Sequence, residues 1–247
     1  MSRMIIETSN FEGIPYNEYS SDNMDIKGLV FIQHGFESNK NRGADYLAIQ
    51  LARKGYKVVS IDAYKHGDRL EEPFISEEVF KRYADAFIIV DQTTKDIITI
   101  FENIYKKEFS NFDLIGVSMG GFIAYVVSMQ CDYVNKLLPV ITTPYFEELA
   151  RKRTNVPNLE NYKLEMQSSM ELIISLDPSK QVDNMKYKSM FILSCKNDEV
   201  ISYLPSKRFY DEFKNDKMMI KFYEDGHTVN RQMQNDIVEY IVNEKVV

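Results

Sequence analysis

Phe112-Asp113-Leu114-Ile115-Gly116-Val117-Ser118-Met119-Gly120-Gly121-Phe122 is the stretch whose reading decides the fold. Asp113 to Val117 is strand-like, whereas Phe122, Ile123, Val126 and Val127 recur at helical spacing, so a strand is predicted to run directly into a helix. Between them lies Gly-x-Ser-x-Gly. A strand that turns abruptly into a helix holds its serine in a strained conformation, and glycines two before and two after remove Cβ atoms that would clash there. The stretch therefore reads as a nucleophile elbow with Ser118 at its tip.

Working outward, Gly28-Leu29-Val30-Phe31-Ile32 is a continuous apolar run, as expected of a strand covered on both faces. It ends at Gln33-His34-Gly35-Phe36. Ala44, Leu47, Ala48 and Leu51 mark a helix stopped by Gly55, and Tyr56 to Ile61 is a second strand, so residues 28–61 form a strand-helix-strand unit with parallel pairing. Ser76-Glu77-Glu78 suggests an N-cap with acids in the first turn, opening one helix or a kinked pair from Ser76 to about Lys107 along Val79, Tyr83, Phe87, Val90, Thr94, Ile97, Phe101 and Ile104. Beyond the elbow, strands are predicted at Lys136 to Thr142, Ser189 to Ser194 and Met218 to Tyr223. Helices are predicted at Lys207 to Phe213 and along Val229, Met233, Ile237 and Tyr240/Ile241. Residues 3–20 suggest one or two short strands at a sheet edge. The alternation predicts a mostly parallel, doubly wound α/β sheet.

The chain of 247 residues is long enough for one large α/β domain and short for two, so residues 1–247 are expected to form a single domain. The net charge of -7, without a dense Lys/Arg block, argues against nucleic-acid binding. Cys131 and Cys195 lie far apart, with no CxxC or Cys/His spacing, so neither a disulfide framework nor a metal site is indicated and a reducing compartment fits. Residues 1–13 lack a signal-peptide core, and no apolar run reaches the ~18 residues of a membrane span. A cytoplasmic location and no membrane partner are expected.

A serine hydroxyl becomes a useful nucleophile when a base takes its proton, and the base needs an acid to fix its tautomer. Three histidines are available. His34 and His66 precede Ser118 in loops and read as loop-ordering residues, while His227 follows the last predicted strand and is the favoured base. Asp198, just after the strand at Ser189 to Ser194, stands at a carboxyl end where sites of open sheets are built. Asp225 is its rival, but two residues from His227 it is poorly placed to reach the imidazole and reads as a turn cap; Asp183 is weaker.

The order Ser118, Asp198, His227, together with the elbow and the His34-Gly35-Phe36 loop, resembles the α/β-hydrolase superfamily over nearly the whole chain. Asp62-Ala63-Tyr64-Lys65-His66-Gly67-Asp68-Arg69 is similar to the Asp-x-x-x-His-Gly-x-Arg loop of its small esterases and peptidase-like hydrolases. The resemblance implies an oxyanion hole made by the backbone N–H groups of Phe36 and Met119. It also implies hydrolysis of a small-molecule ester through an acyl-enzyme, with no metal or organic cofactor. Phe36, Tyr64, Tyr145 and Phe146 are candidates to line the substrate pocket. Amide or thioester hydrolysis by the same groups is the alternative, and a non-catalytic binding module is a further one. Cys195, where a glycine often precedes the acid, and Glu224-Asp225 before Gly226-His227 depart from the family pattern. The Arg151-Lys152-Arg153 run reads as a solvated helix face. Thr143 to Tyr187, where the pattern changes, is expected to be a small helical cap whose apolar residues (Phe146, Leu149, Tyr162, Leu164, Met166, Met170, Leu172 and Ile173) close over Ser118 or pack on the sheet edge. The oligomeric state is left open.

Overall fold

A computed structural model describes residues 3–22, 24–42, 45–70, 79–154 and 164–243. Eight strands form one sheet: β1 (Met4–Phe11), β2 (Ile14–Ser21), β3 (Gly28–Gln33), β4 (Tyr56–Ile61), β5 (Phe112–Val117), β6 (Val134–Val140), β7 (Ser189–Cys195) and β8 (Met218–Tyr223). Their spatial order is β1-β2-β4-β3-β5-β6-β7-β8. The β1–β2 hairpin and the β2–β4 pair are antiparallel and every other pairing is parallel. The β1–β2 strands are thus longer than expected, eight residues each, and of the two only β1 is a sheet edge.

Helix α1 (Asp45–Ala52) and α7 (Arg231–Val242) cover one face; α2 (Val79–Ile100), α3 (Met119–Gln130), α4 (Phe146–Thr154), α5 (Leu164–Ser175) and α6 (Tyr203–Phe213) cover the other. β3 shows why its run is apolar throughout. Leu29 and Phe31 enter the α2–α6 side, and Val30 and Ile32 enter the α1–α7 side. Alternate side chains point to opposite faces, so a strand with both faces covered has no position left for water.

Three boundaries differ from the sequence expectation. The long helix leaves α geometry at Ile100 and runs as a π-helix over Phe101–Tyr105, with both end side chains buried; the apolar spacing continues through this segment and does not reveal it. Its expected cap, Ser76-Glu77-Glu78, lies outside the described residues. β6 starts two residues early and stops at Val140, because Ile141 takes φ +45°, a conformation that ends a strand. Pro139 is accommodated inside β6 because the β6–β7 ladder lapses there, between the Leu137–Met190 and Val140–Leu193 pairs. Finally, α6 begins at Tyr203 with the Ser202 hydroxyl accepting the Leu204 N–H at 3.3 Å, and Pro205 falls in the first turn, where its missing N–H costs nothing.

Within residues 143–187, α4 and α5 are joined to β7 by short 3-10 turns at Pro178–Lys180 and Val182–Asn184. Phe146, Met170 and Ile173 are buried in the α2–α6 core, whereas Leu149 is half-buried. Tyr162 lies outside the described residues, as do the side chains of Leu164 and Met166.

The sheet changes winding direction between β3 and β5, since β4 lies on one side of β3 and β5 on the other. Loops leaving these strands diverge and open a crevice at the carboxyl ends. His34-Gly35-Phe36 follows β3 and Ser118 follows β5, so both border it.

Candidate active site

Ser118 sits between β5 and α3 at φ +56° and ψ -114°. Its N–H donates to Val140 O at 2.9 Å, which ties the turn to the end of β6. The glycines are needed because the backbones nearly touch. A Cβ on Gly116 would stand 2.1 Å from Gly120 O, and one on Gly120 would stand 2.2 Å from Gln33 O. Such contacts let the start of α3 press against β3 and β5, which sets the serine at the sheet's rim.

His227 Nε2 lies 2.9 Å from Ser118 Oγ, and Nδ1 lies 2.7 Å from Asp198 Oδ2. Asp198 Oδ2 accepts a hydrogen bond from Nδ1–H, which keeps the proton on Nδ1 and leaves Nε2 as the acceptor of the serine hydroxyl. The other carboxylate oxygen is held by the N–H groups of Val200 and Ile201, each at 2.8 Å. Asp198 is buried and its role as an acceptor is thus fixed by three donors. Asp225, the sequence rival, turns away and accepts from Asn230 Nδ2.

The two departures from the family pattern stitch the acid loop to the histidine loop. Lys196 N–H donates to Tyr223 O at 2.8 Å, Asn197 N–H to Asp225 O at 3.2 Å, and Asn197 Nδ2 to Glu224 O at 2.9 Å. Lys196 also pairs with the Glu224 carboxylate. Cys195 is buried with Sγ 3.7 Å from Thr228 O, and burial pushes its thiol up to about 11, so it stays a neutral packing group.

Gly35 packs on the elbow: an added Cβ would be 3.3 Å from Ser118 Cβ and 3.2 Å from Val117 O. This brings the Gly35-Phe36 segment alongside the nucleophile. Met119 is the first residue of α3, and the geometry of a helix leaves its N–H without an intrahelical acceptor. The same helix end contributes partial positive charge.

A cavity of about 260 Å³ opens beside Ser118, walled by Phe36, Met119, Phe122, Leu149, Val200 and Ile201, with Arg82, Ala86 and Arg153 completing its described lining. Tyr64 is elsewhere, on an open groove beside the β1–β2 hairpin. Tyr145 borders an adjoining cavity of about 410 Å³, under the Arg208 guanidinium at 3.8 Å. Phe146 is fully buried behind the wall, its ring 5.0 Å from that of Phe122. Leu149, expected on the cap face over Ser118, does line the cavity, whereas Arg82 and Arg153 were missed. A signal existed for Arg153, since it lies four residues after Leu149 and positions four apart share a helix face; the same spacing sends Arg151 to Glu147 at 2.7 Å.

The other histidines order loops. His34 donates from Nδ1 to Gly35 O at 2.8 Å and accepts the Ala63 N–H at Nε2, 3.0 Å away. Burial lowers its pKa to about 4, so it is neutral and bridges the β3 and β4 loops. His66 Nδ1 bonds Tyr64 O at 3.0 Å, and burial likewise lowers its pKa. In the Asp62–Arg69 loop, Asp62 accepts from Lys40 Nζ at 2.7 Å, Lys40 N–H at 2.8 Å and Asp68 N–H at 3.0 Å. Arg69 crosses from Asp62 O to the Asp96 carboxylate at 2.6 Å. Gly67, at φ +55°, is required because a Cβ would land 2.1 Å from the Asp62 carboxylate. Among the described residues no group of three or more His, Cys, Asp or Glu side chains is placed to hold a metal ion, and no helix is long and apolar enough to cross a membrane.

Comparison with known proteins agrees with this architecture. A protein of Bacillus subtilis (strain 168) named "Putative esterase YitV" is 25% identical over 220 residues, covering 85% of this chain and 84% of the relative. Among solved structures, TT1662 from Thermus thermophilus matches with a TM-score of 0.74 at 15% identity, covering 97% of each chain. An acetyl xylan esterase from Paenibacillus sp. R4 matches at 0.68 and 14%, covering 98% of this chain and 88% of that one. At these identities the structural matches establish the fold, that of the α/β-hydrolases. Residues 24–186, more than half of the chain and including the elbow, match the family described as serine aminopeptidase, S33. With its doubly wound sheet and its serine at a strand-to-helix turn, the chain belongs to that family of hydrolases.

Proposed function

We propose that this protein hydrolyses small carboxylic esters through an acyl-enzyme on Ser118. The observation that carries the reading is the unbroken relay from Ser118 Oγ through His227 to Asp198, beside an apolar cavity. His227 Nε2 takes the hydroxyl proton as Oγ attacks the ester carbonyl, and Asp198 stabilises the imidazolium without itself taking the proton. The N–H groups of Phe36 and Met119 meet the oxyanion, each contributing about 3 kcal/mol of transition-state stabilisation. The imidazolium then protonates the leaving alcohol, and water repeats the sequence to release the acid. No step calls for a metal or organic cofactor.

Ester chemistry is favoured by the esterase names of the relatives. Amide hydrolysis is the second reading, favoured by the aminopeptidase description of the family; the relay serves either leaving group. Residues 1–247 act as one domain in this reading, with α4 of the 143–187 segment forming one wall of the site. A cytoplasmic setting suits the two buried free cysteines.

A fluorophosphonate probe followed by peptide mass spectrometry is expected to label Ser118. Folded, ester-active protein with Ser118 unmodified would overturn the assignment. p-Nitrophenyl esters, amino-acid amides and acyl thioesters assayed side by side separate the readings, with the highest kcat/KM expected for the esters.

A further inference from the structure

Two residues lining the cavity beside Ser118 are arginines, Arg82 of α2 and Arg153 of α4, and none of its described lining residues is acidic. Two neighbouring arginines are neutralised within the protein. Arg151 pairs with Glu147, and Arg208 pairs with Glu148 at 2.5 Å. Arg153 donates from Nη2 to the backbone carbonyl of Val200, and among the described residues it forms no ion pair. A guanidinium carries five N–H donors, so this one retains donors for a further acceptor. Its anchor is informative. Val200 N–H also holds Asp198 Oδ1 at 2.8 Å, so Arg153 is tied to the same turn that fixes the acid of the relay.

The adjoining cavity is mixed in charge, with Glu148, Asp198 and Glu199 in its lining beside Lys152 and Arg153 itself. The smaller cavity, with no described acid in its lining, is the side that favours an anion, and its apolar walls strengthen the attraction to Arg153 relative to open water. We propose that the substrate is a small ester carrying a carboxylate on the portion that fills this cavity, held by Arg153. The inference rests on the reading that Ser118 attacks an ester. A volume of about 260 Å³ suits a short half-ester of a dicarboxylic acid better than a lipid chain.

The test uses two matched pairs. p-Nitrophenyl hemiglutarate against p-nitrophenyl butyrate puts the charge on the acyl part; butyryl glycolate against ethyl butyrate, followed by pH-stat, puts it on the alcohol part. In at least one pair kcat/KM for the anionic ester is expected to exceed that for the neutral one by about five- to tenfold, as partly exposed charge-assisted hydrogen bonds allow. The ratio is expected to fall toward one in Arg153→Gln, to be partly kept in Arg153→Lys, and to shrink in about 0.5 M NaCl. The salt series and Arg153→Met decide the matter if Arg153→Gln fails to fold. Preference for the neutral ester in both pairs, or a ratio unmoved by Arg153→Gln in folded protein, overturns the inference and leaves the ester reading standing. Hydrolysis of none of the four overturns both.

Discussion

Asp62 and Asp198 follow strands β4 and β7 on the same rim of the sheet, and both carboxylates are buried, yet their surroundings differ in one respect. Asp62 is saturated by a permanent cation, Lys40, itself buried, and by two backbone N–H groups. Asp198 spends one oxygen on two backbone N–H groups and leaves the other to an imidazole. A lysine beside a carboxylate keeps its proton, so the Asp62 cluster is locked and its worth is structural. An imidazole gains and loses its proton near neutral pH, so the same carboxylate beside His227 can support a charge that comes and goes. The histidines divide the same way: burial holds His34 and His66 toward the neutral ring in spite of their backbone carbonyl partners, whereas His227 faces a carboxylate.

The sharpest way to break this division is to remove each charge in turn. Asp198→Asn is expected to lower kcat on a p-nitrophenyl ester by about 10³- to 10⁴-fold, since an amide neither fixes the imidazole tautomer nor stabilises imidazolium. Stability is expected to change by only about 1 kcal/mol, because the asparagine oxygen still accepts the Val200 and Ile201 N–H groups. Asp62→Asn is expected to do the reverse. Lys40 keeps its second carboxylate, Asp68 at 2.6 Å, but loses the fully buried one, which costs about 1 to 3 kcal/mol in urea denaturation, while protein that remains folded keeps turnover within about tenfold. Replacing both partners, as in Lys40→Met/Asp62→Leu, is expected to cost less than the two single changes added together. An Asp62→Asn protein of normal stability and no activity would erase the distinction.

A finer test concerns His34. Its folded pKa of about 4 lies below the ordinary 6.5, so the folded state resists a proton that the unfolded chain accepts. The resulting stability is fully present above pH 6.5 and is lost as pH falls toward 4, at up to ~1.4 kcal/mol per unit. Asp113 opposes it. Burial raises this carboxyl from 3.8 to about 6, so the folded state holds a proton that the unfolded chain releases, and stability falls as pH rises through that range. The wild-type profile is therefore partly flattened, and the His34 contribution is read from the difference between wild type and His34→Gln. That difference is expected to narrow as pH falls from 6.5 to 4. A constant offset would mean that His34 does not resist protonation.

The sequence made the relay legible because each member sits at a local transition. Ser118 lies where strand period becomes helix period, Asp198 just past a strand, and His227 between the last strand and the last helix. The cavity was not legible in the same way. Its walls come from the β3 loop, α2, α3, α4 and the turn after Asp198, and only the packed sheet brings these together. Lys40 escaped notice because a lysine in a polar loop reads as solvated, and nothing nearby in sequence announces that Asp62, a strand away, will bury it. Phe146 and Tyr64 were candidates for the pocket as aromatics near its loops. Aromatic content alone does not say which side of a wall a ring occupies, and Phe146 proves to be behind it.

Helix α4 repeats the contrast between structure and site at a smaller scale, with Phe146 turned into the core and Leu149 turned toward the nucleophile. Leu149 borders both the cavity beside Ser118 and the larger one next to it, so its side chain is part of the partition between them. Leu149→Ala is expected to let an acyl chain run on into the second space. In a p-nitrophenyl ester series, the wild type is expected to favour short chains, and the variant to shift the octanoate-to-butyrate ratio of kcat/KM upward by about fivefold. That is about 1 kcal/mol, the lower end of what one or two methylene contacts in an apolar pocket discriminate. Phe146→Ala, by contrast, is expected to cost about 3 to 5 kcal/mol of stability, as truncation of a buried aromatic does, with a smaller effect on that ratio. If the two substitutions traded outcomes, so that Phe146 set chain length and Leu149 set stability, α4 would have to be packed the other way round, and the wall of the candidate site would have to be redrawn.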